Sequence, residues 1–291
     1  MDFFLQQLVN GISIGAIYSL LAVGYALVYS VYNFTNWAFD AFMVTGAFAA
    51  FYAISLFCMP FPAAIAFSIV ITVGLSLFTE TTAYRPLRTR NAPRLFMMIS
   101  AMGASMAVVN VANIVFGGSF RKFPQITEGA FQLGRMSIGK MDLFAALFSF
   151  VVLALLWLFL ERTKLGLGVR ASALDTITAG IMGVNNNKVA LIIFGVSGVL
   201  SSVAGVFYGA KYAVYPYLGM VTIKAMIGSI IGGIGSLPGA VLGSLLLGIL
   251  ETMISSYVSS IYRDLISFTI LVGVLLFFPN GLMGAKTVNK L

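Results

Sequence analysis

Very few side chains in this 291-residue sequence are equipped for bond chemistry. Histidine is absent, which removes imidazole acid–base catalysis and the commonest metal ligand. The single cysteine, Cys58, lies in an apolar run and has no partner for an internal disulfide. No nucleophile–base pair stands out, so neither catalysis nor a resident metal is expected. Gly134-Arg135-Met136-Ser137-Ile138-Gly139-Lys140 matches the start of a phosphate-binding loop. The next residue is Met141 rather than Ser or Thr, however, and no buried strand precedes the match. What remains is charge in apolar surroundings. Asp40, Lys224 and Glu251 lie in or beside long hydrophobic runs, where an ionised group costs about 2.5–3.5 kcal/mol on insertion scales. Such residues are candidates for handling a polar solute; a charge that snorkels to the interface is the plain alternative for Lys224. Two isolated acids without a histidine make a poor proton relay, which weighs against a proton-coupled carrier.

The elements that must hold these residues are membrane helices. The chain is 60% hydrophobic and 9% charged, with a mean hydropathy of +1.01, against roughly 25% charged residues in soluble domains. The composition predicts one all-α integral membrane domain spanning 1–291, a polytopic bundle of eight to ten spans. The first apolar run, Phe3 to Tyr32, exceeds the roughly 20 residues needed to cross hydrocarbon, so it is tilted or broken near Asn10-Gly11. Gly11 and Gly15 have the small-xxx-small spacing that lets helices approach closely. A polar and aromatic turn follows, with Asn33, Phe34, Asn36, Trp37 and Asp40. Further spans are expected near 41–59, 63–78, 95–117, 142–160, 189–210, 240–258 and 265–279. Ser197, Ser201, Gly205 and Gly209 give the fifth of these a smooth face. Between 228 and 243 the chain is glycine-rich. Gly232, Gly233, Gly235 and Ser236 read as a break in a helix, tolerated in a membrane where backbone is buried or lines a cavity. This segment and the Asn33–Asp40 turn are the expected lining of a translocation pathway.

The net charge of +8 would suggest a nucleic-acid partner in a soluble chain. Here the basic residues sit between spans, where the positive-inside bias explains them. Arg85, Arg88, Arg90 and Arg94 mark one cytoplasmic loop, and Arg162, Lys164, Arg170 and Lys188 mark another two spans later. Lys286 and Lys290 join that side, and the N-terminus lies outside. Arg121, Lys122, Arg135 and Lys140 run against this count and face outward, where Arg121 and Lys122 are candidates to dock an acidic partner. The polar stretch 161–188 is the longest interruption in the second half. Ser172-Ala173-Leu174-Asp175 fits a capping signature, predicting a short helix from Ser172 to about Met182 with Leu174, Ile177 and Ile181 on one face. Gly183 would end it. Amphipathicity alone leaves open whether this helix rests on lipid or inserts into a partner protein.

Gly168-x-Arg170-Ala171-x-x-x-Asp175, then Ala179-x-x-x-Gly183-Val184-Asn185, resembles the cytoplasmic loop of Liv-type ABC transporter permeases, the bacterial branched-chain amino acid importers. Gly232-Gly233-Ile234-Gly235-Ser236-Leu237-Pro238-Gly239-Ala240, Leu245 to Glu251, Asp264, and Pro279-Asn280-Gly281-Leu282-Met283-Gly284 resemble the family's C-terminal signature. Leu8-Val9-Asn10-Gly11 with Gly15 to Leu20 resembles its N-terminal one. The resemblance implies a permease subunit of the bacterial inner membrane, paired with a second permease subunit and two cytoplasmic ATPases. An extracytoplasmic binding protein would deliver the substrate. ATP and magnesium would be bound by the ATPases, not by this chain. It also implies that residues around Arg170–Val184 dock on an ATPase. The first turn departs from the family's usual Asn-Phe-Ala-His-Gly-Glu, having Asn36 and Trp37 at the His and Gly positions. The substrate therefore stays open between a branched-chain amino acid, another amino acid, an amide or urea, and a small carboxylate. A stand-alone channel or secondary carrier is the rival class.

Overall fold

A computed structural model of the chain describes residues 2–124, 130–133, 136–278 and 280–283. Helix α1 (Asp2–Tyr32) is the axis of the bundle and runs unbroken through Asn10-Gly11. At 1.5 Å per residue its 31 residues measure about 46 Å, more than the roughly 30 Å of hydrocarbon, so the excess is taken up by tilt or projection. It is buried along almost its whole length. Around it stand α2 (Phe39–Ser55), α6 (Lys140–Arg162), α9 (Asn186–Lys211), α10 (Val221–Gly232) and α11 (Leu237–Tyr257). The outer helices are α3 (Phe61–Thr79), continued by α4 (Arg85–Thr89), then α5 (Arg94–Phe116) and α12 (Tyr262–Phe277). The short helices α7 (Lys164–Leu174) and α8 (Thr176–Ile181) lie between α6 and α9.

Small residues set the packing, because lipid offers no hydrophobic drive between helices and close backbone approach must replace it. A Cβ on Gly11 would come within 2.8 Å of Ile249 Cα, and one on Gly15 within 2.9 Å of Leu245 Cα, so α1 lies directly on α11. The expected smooth face of α9 packs on α2 and α3: Gly205 lies on the Met43 and Ala47 backbone, and Gly198 on Val73. Ser202 and Ser68 hydroxyls meet at 2.6 Å across the same seam.

Among the described residues six helices are long and apolar enough to cross a membrane: Phe3–Tyr32, Phe61–Thr89, Arg94–Phe116, Lys140–Arg162, Asn186–Lys211 and Leu237–Tyr257. The remaining apolar helices, α2, α10 and α12, are 17, 12 and 16 residues long. The third expected span does not stop at 78. It passes through a π-helical turn, Glu80–Tyr84, into α4. The buried Glu80 explains the continuation, because it pairs at 2.7 Å with Arg88 two turns on. The connection after α5 departs from the all-helical expectation. It carries a small antiparallel hairpin, β1 (Ala130–Leu133) with β2 (Met136–Gly139). The resemblance to a phosphate-binding loop runs through this hairpin, and its Gly134 and Arg135 lie outside the described residues. So do Pro279, Gly284, Lys286 and Lys290.

The two ends of the bundle are distinct. At one end Arg88 lies over the Tyr32 ring at 5.4 Å and donates to Asn187 at 3.1 Å, bringing together the end of α1, the arginine segment and the start of α9. At the other, Arg121 and Val214 exchange backbone hydrogen bonds, and Lys211 pairs with Asp142 at 2.6 Å.

Candidate functional site

The end of the bundle that holds Arg88 also carries the segment between α6 and α9, and each of its joints is capped by a local side chain. Thr163 accepts from the Gly166 N–H at 2.9 Å and starts α7. Asp175 accepts from Ile177 and Thr178 N–H at 2.8 and 3.2 Å and starts α8. Gly183, at φ +91°, closes it. Asn185 accepts from Asn187 and Lys188 N–H and starts α9. The helix expected to begin at Ser172 therefore begins a turn later. Ser172 sits inside α7, 2% exposed, and the cap is Asp175. The reason is that a carboxylate accepts two N–H groups at once and is favoured by the positive helix end, so Asp175 outcompetes a buried serine hydroxyl.

This correction exposes an apolar ridge. Leu174 is 91% exposed, Ile177 75%, and Ile181 and Met182 80% each, on a helix outside the long spans. Ala179 is buried beneath it, Gly168 faces Val184 with room to spare, and Ala171 is half-buried. Arg170 is held at 2.9 Å by Glu161 in an exposed pair, worth under about 1 kcal/mol. Behind the ridge lies a cavity of about 520 Å³ whose walls include Asn33, Arg88, Arg94, Ser172, Thr176 and Ile177. The α8 ridge and the turn after α1 thus share one polar space.

The rest of that turn is held by contacts within the bundle. Asn33 opens to the cavity at φ +53°, but Phe34 and Asn36 are buried, and Trp37 packs against the core. Asn36 Oδ1 accepts from the Tyr84 hydroxyl at 2.7 Å and from the Ala38 N–H at 3.0 Å. Asp40, half-buried in the first turn of α2, accepts from the Ser105 hydroxyl. The glycine-rich break is real: α10 ends at Gly232, Gly233 and Gly235 adopt φ of +113° and +90°, and Ser236 caps α11 through Gly239 N–H. Gly232 is a contact position, since a Cβ there would meet Ala240 N at 2.9 Å. Gly235 faces Ser30 near the same end of α1. At the opposite end Arg121 is engaged internally, donating to Phe116 O and lying 5.5 Å over Tyr52, while Lys122 is exposed.

The sequence alone missed a charge cluster. Lys224 on α10 lies 3.2 Å from Glu251 on α11 and 2.7 Å from Asp264 on α12, so it is paired rather than snorkelling. Tyr18 of α1 donates to Glu251 at 3.1 Å, and Ser267 of α12 at 3.0 Å. The signal was present as charges inside apolar runs, but their pairing spans 27 and 40 residues and has no local pattern. Among the described residues no three His, Cys, Asp or Glu side chains come together as a metal site.

Apolar helices of spanning length, seams of small residues and a polar end with a capped surface helix define a multi-pass helical membrane protein. A family model described as "Branched-chain amino acid transport system / permease component" matches residues 7–275. The chain is 36% identical to the high-affinity branched-chain amino acid transport system permease protein BraD of Pseudomonas aeruginosa, covering 99% of this chain and 98% of that one. It is 34% identical, with the same coverage, to the permease protein LivH of Escherichia coli K12. A solved structure, PsaBC from Streptococcus pneumoniae in complex with Fab, aligns with a TM-score of 0.54 at 12% identity, over 94% of this chain and 91% of that one, and shares the fold. The chain belongs to the family of permease components of branched-chain amino acid transport systems.

Proposed function

We propose that this chain is one permease subunit of a binding-protein-dependent ABC importer in a bacterial inner membrane, carrying branched-chain amino acids. It forms half of the pathway with a second permease subunit of the same family, and lipid surrounds both. Two cytoplasmic ATPases bind ATP and magnesium, and an extracytoplasmic protein delivers the solute. The observation that carries this reading is the α8 ridge. Isoleucines 75% and 80% exposed on a capped surface helix, at the end richest in arginine, fit a docking helix for a soluble subunit better than a free surface. That end is then cytoplasmic, in agreement with the positive-inside bias of Arg85–Arg94 and Arg162–Lys188. The chain crosses nine times: α1, α2, α3, α5, α6, α9, the broken segment 212–232, α11 and α12. This places the N-terminus outside and residues 280–283 inside, where Leu282 and Met283 N–H bond Ile231 and Gly232 carbonyls at 2.9 Å. At the outer end, Lys122 is the more available of the two basic residues for an acidic binding protein.

The test is co-purification. Ile177→Asp plus Ile181→Asp is expected to lose the ATPase and solute uptake while the permease pair stays folded. Retention of the ATPase by that variant would refute docking through α8. A stand-alone channel or secondary carrier would pass solute without any ATPase, which purified wild-type chain in vesicles would reveal.

A further inference from the structure

Seven acidic residues have described side chains, and six of them have a cation or a helix end as partner. Glu80 pairs with Arg88, Asp142 with Lys211, Glu161 with Arg170, and Glu251 and Asp264 with Lys224; Asp175 caps α8. Asp40 differs. Among the described residues no basic group lies within ion-pair distance of it. Its depth makes this unusual. Its partner Ser105 is the middle residue of α5, Arg94–Phe116, so the carboxylate stands near the centre of the membrane. An ionised carboxylate at that depth without a counter-charge is strongly disfavoured and marks a solute or ion path by default.

Asp40 lies in the first turn of α2, where the helix dipole favours an anion. The backbone of the turn 218–220 is pressed against it: a Cβ on Gly219 would lie 2.7 Å from Asp40 Cα. Only a glycine permits that approach. Below it, toward the cytoplasmic end, Thr222 of α10 hydrogen-bonds Tyr25 of α1. A small cleft of about 30 Å³ follows between Tyr25, Tyr29, Thr35 and Ser229. Ser229 is 2% exposed and its hydroxyl has no partner. A carboxylate has about four acceptor sites. Ser105 takes one of them, and the others suit a group with several N–H donors and a positive charge.

We infer that the Asp40 carboxylate receives the protonated amine of the translocated solute midway through the membrane and makes the pathway selective for amine-bearing solutes. This rests on the reading of the chain as half of an importer pathway. The unpartnered Ser229 hydroxyl is the next polar station toward the cytoplasm.

The experiment uses the complete transporter in proteoliposomes, with labelled leucine as probe. Uptake and binding-protein-stimulated ATP hydrolysis are measured together. Asp40→Asn is expected to lower leucine uptake 10- to 100-fold, the range of a lost charged hydrogen bond, while the subunits stay assembled and hydrolysis remains stimulated. Asp40→Glu keeps the charge and is expected to retain uptake within about fivefold. Wild-type uptake by Asp40→Asn overturns the proposal. Loss of the second permease subunit from the Asp40→Asn complex also overturns it, because the carboxylate would then pair with that subunit. If the cognate binding protein holds a solute without an amine, this proposal falls while the importer reading stands. If the wild-type chain binds no ATPase, the importer reading falls first.

Discussion

Replacing Ile177 and Ile181 by alanine tests the docking ridge with a calculable loss. Each change removes three carbons, worth about 0.8 kcal/mol apiece when fully buried, or about 2.4 kcal/mol. Only surface now exposed is available for a partner to cover, and the two side chains are 75% and 80% exposed. The expected loss is therefore about 1.8 kcal/mol for Ile177→Ala and about 1.9 kcal/mol for Ile181→Ala, each near 20-fold in dissociation constant. The pair sits one turn apart, so the double variant falls between that and the roughly 400-fold of full additivity. The assay is equilibrium binding of the isolated ATPase to the permease in nanodiscs. Stability of the permease itself is expected to stay within about 0.5 kcal/mol, since neither side chain is buried in it. Leu147→Ala, 62% exposed on the lipid side of α6, is the control and leaves ATPase affinity unchanged. A double variant that binds the ATPase within threefold of wild type would refute the argument, because no protein surface would then be covering the ridge.

Lys224→Met leaves the buried Glu251 with only the more distant Arg263, at 3.9 Å, and is expected to destabilise the bundle by less than the about 3–5 kcal/mol of a fully uncompensated buried charge, read as a lower unfolding temperature in detergent. Adding Glu251→Gln should recover most of that loss, and failure to recover would mean the pair is not the cause. Gly248→Ala forces a Cβ to within 2.5 Å of Gly15 N and is expected to cost about 1–3 kcal/mol, whereas Gly273→Ala, with open space around it, is neutral or slightly stabilising. Equal effects would show that α1 and α11 tolerate separation. A bifunctional reagent joining cysteines at Arg94 and Thr176, which line one cavity, in a Cys58→Ser background is expected to halt uptake while the ATPase stays bound. Undiminished uptake after cross-linking would show that α5 and α8 need not move relative to each other.

What was legible in the sequence was what repeats locally. Gly11 and Gly15, or Ser197 to Gly209, announce a packing face because four-residue spacing is itself the geometry of a helix seam. Gly235 to Gly239 announced a break because positive φ and Pro238 are local demands. The α8 cap was misplaced by one turn because Ser172 and Asp175 both fit a capping motif. The burial of Ser172, 2% exposed, which decides between them, is a tertiary fact. The Asn33–Asp40 turn was expected to line the pathway as a unit. The structure divides it: Asn36 fastens Tyr84, and Asp40 reaches α5. Neither partner lies within the turn's own sequence, so no local pattern marks which polar residue is fastened and which is free.

The site residues are connected by one helix. Arg94, the first residue of α5, lines the cavity behind α8, and Ser105, eleven residues on, donates to Asp40. At 1.5 Å per residue those points lie about 16 Å apart on a single rod. The inner helices cannot slide readily, because α1, α10 and α11 meet at glycines where backbone rests on backbone. α5 has no such seam: most of its surface is exposed, and a Cβ on Gly103 would meet nothing within 4 Å. If the ATPases displace α8 as proposed, α5 is the less constrained element across the cavity that both line. Movement of α5 as a rod would withdraw Ser105 from Asp40 and weaken the carboxylate's fixed hydrogen bonding as the pathway opens. On the proposed reading, α5 joins the cavity behind the docking ridge to the Asp40 carboxylate as a single lever.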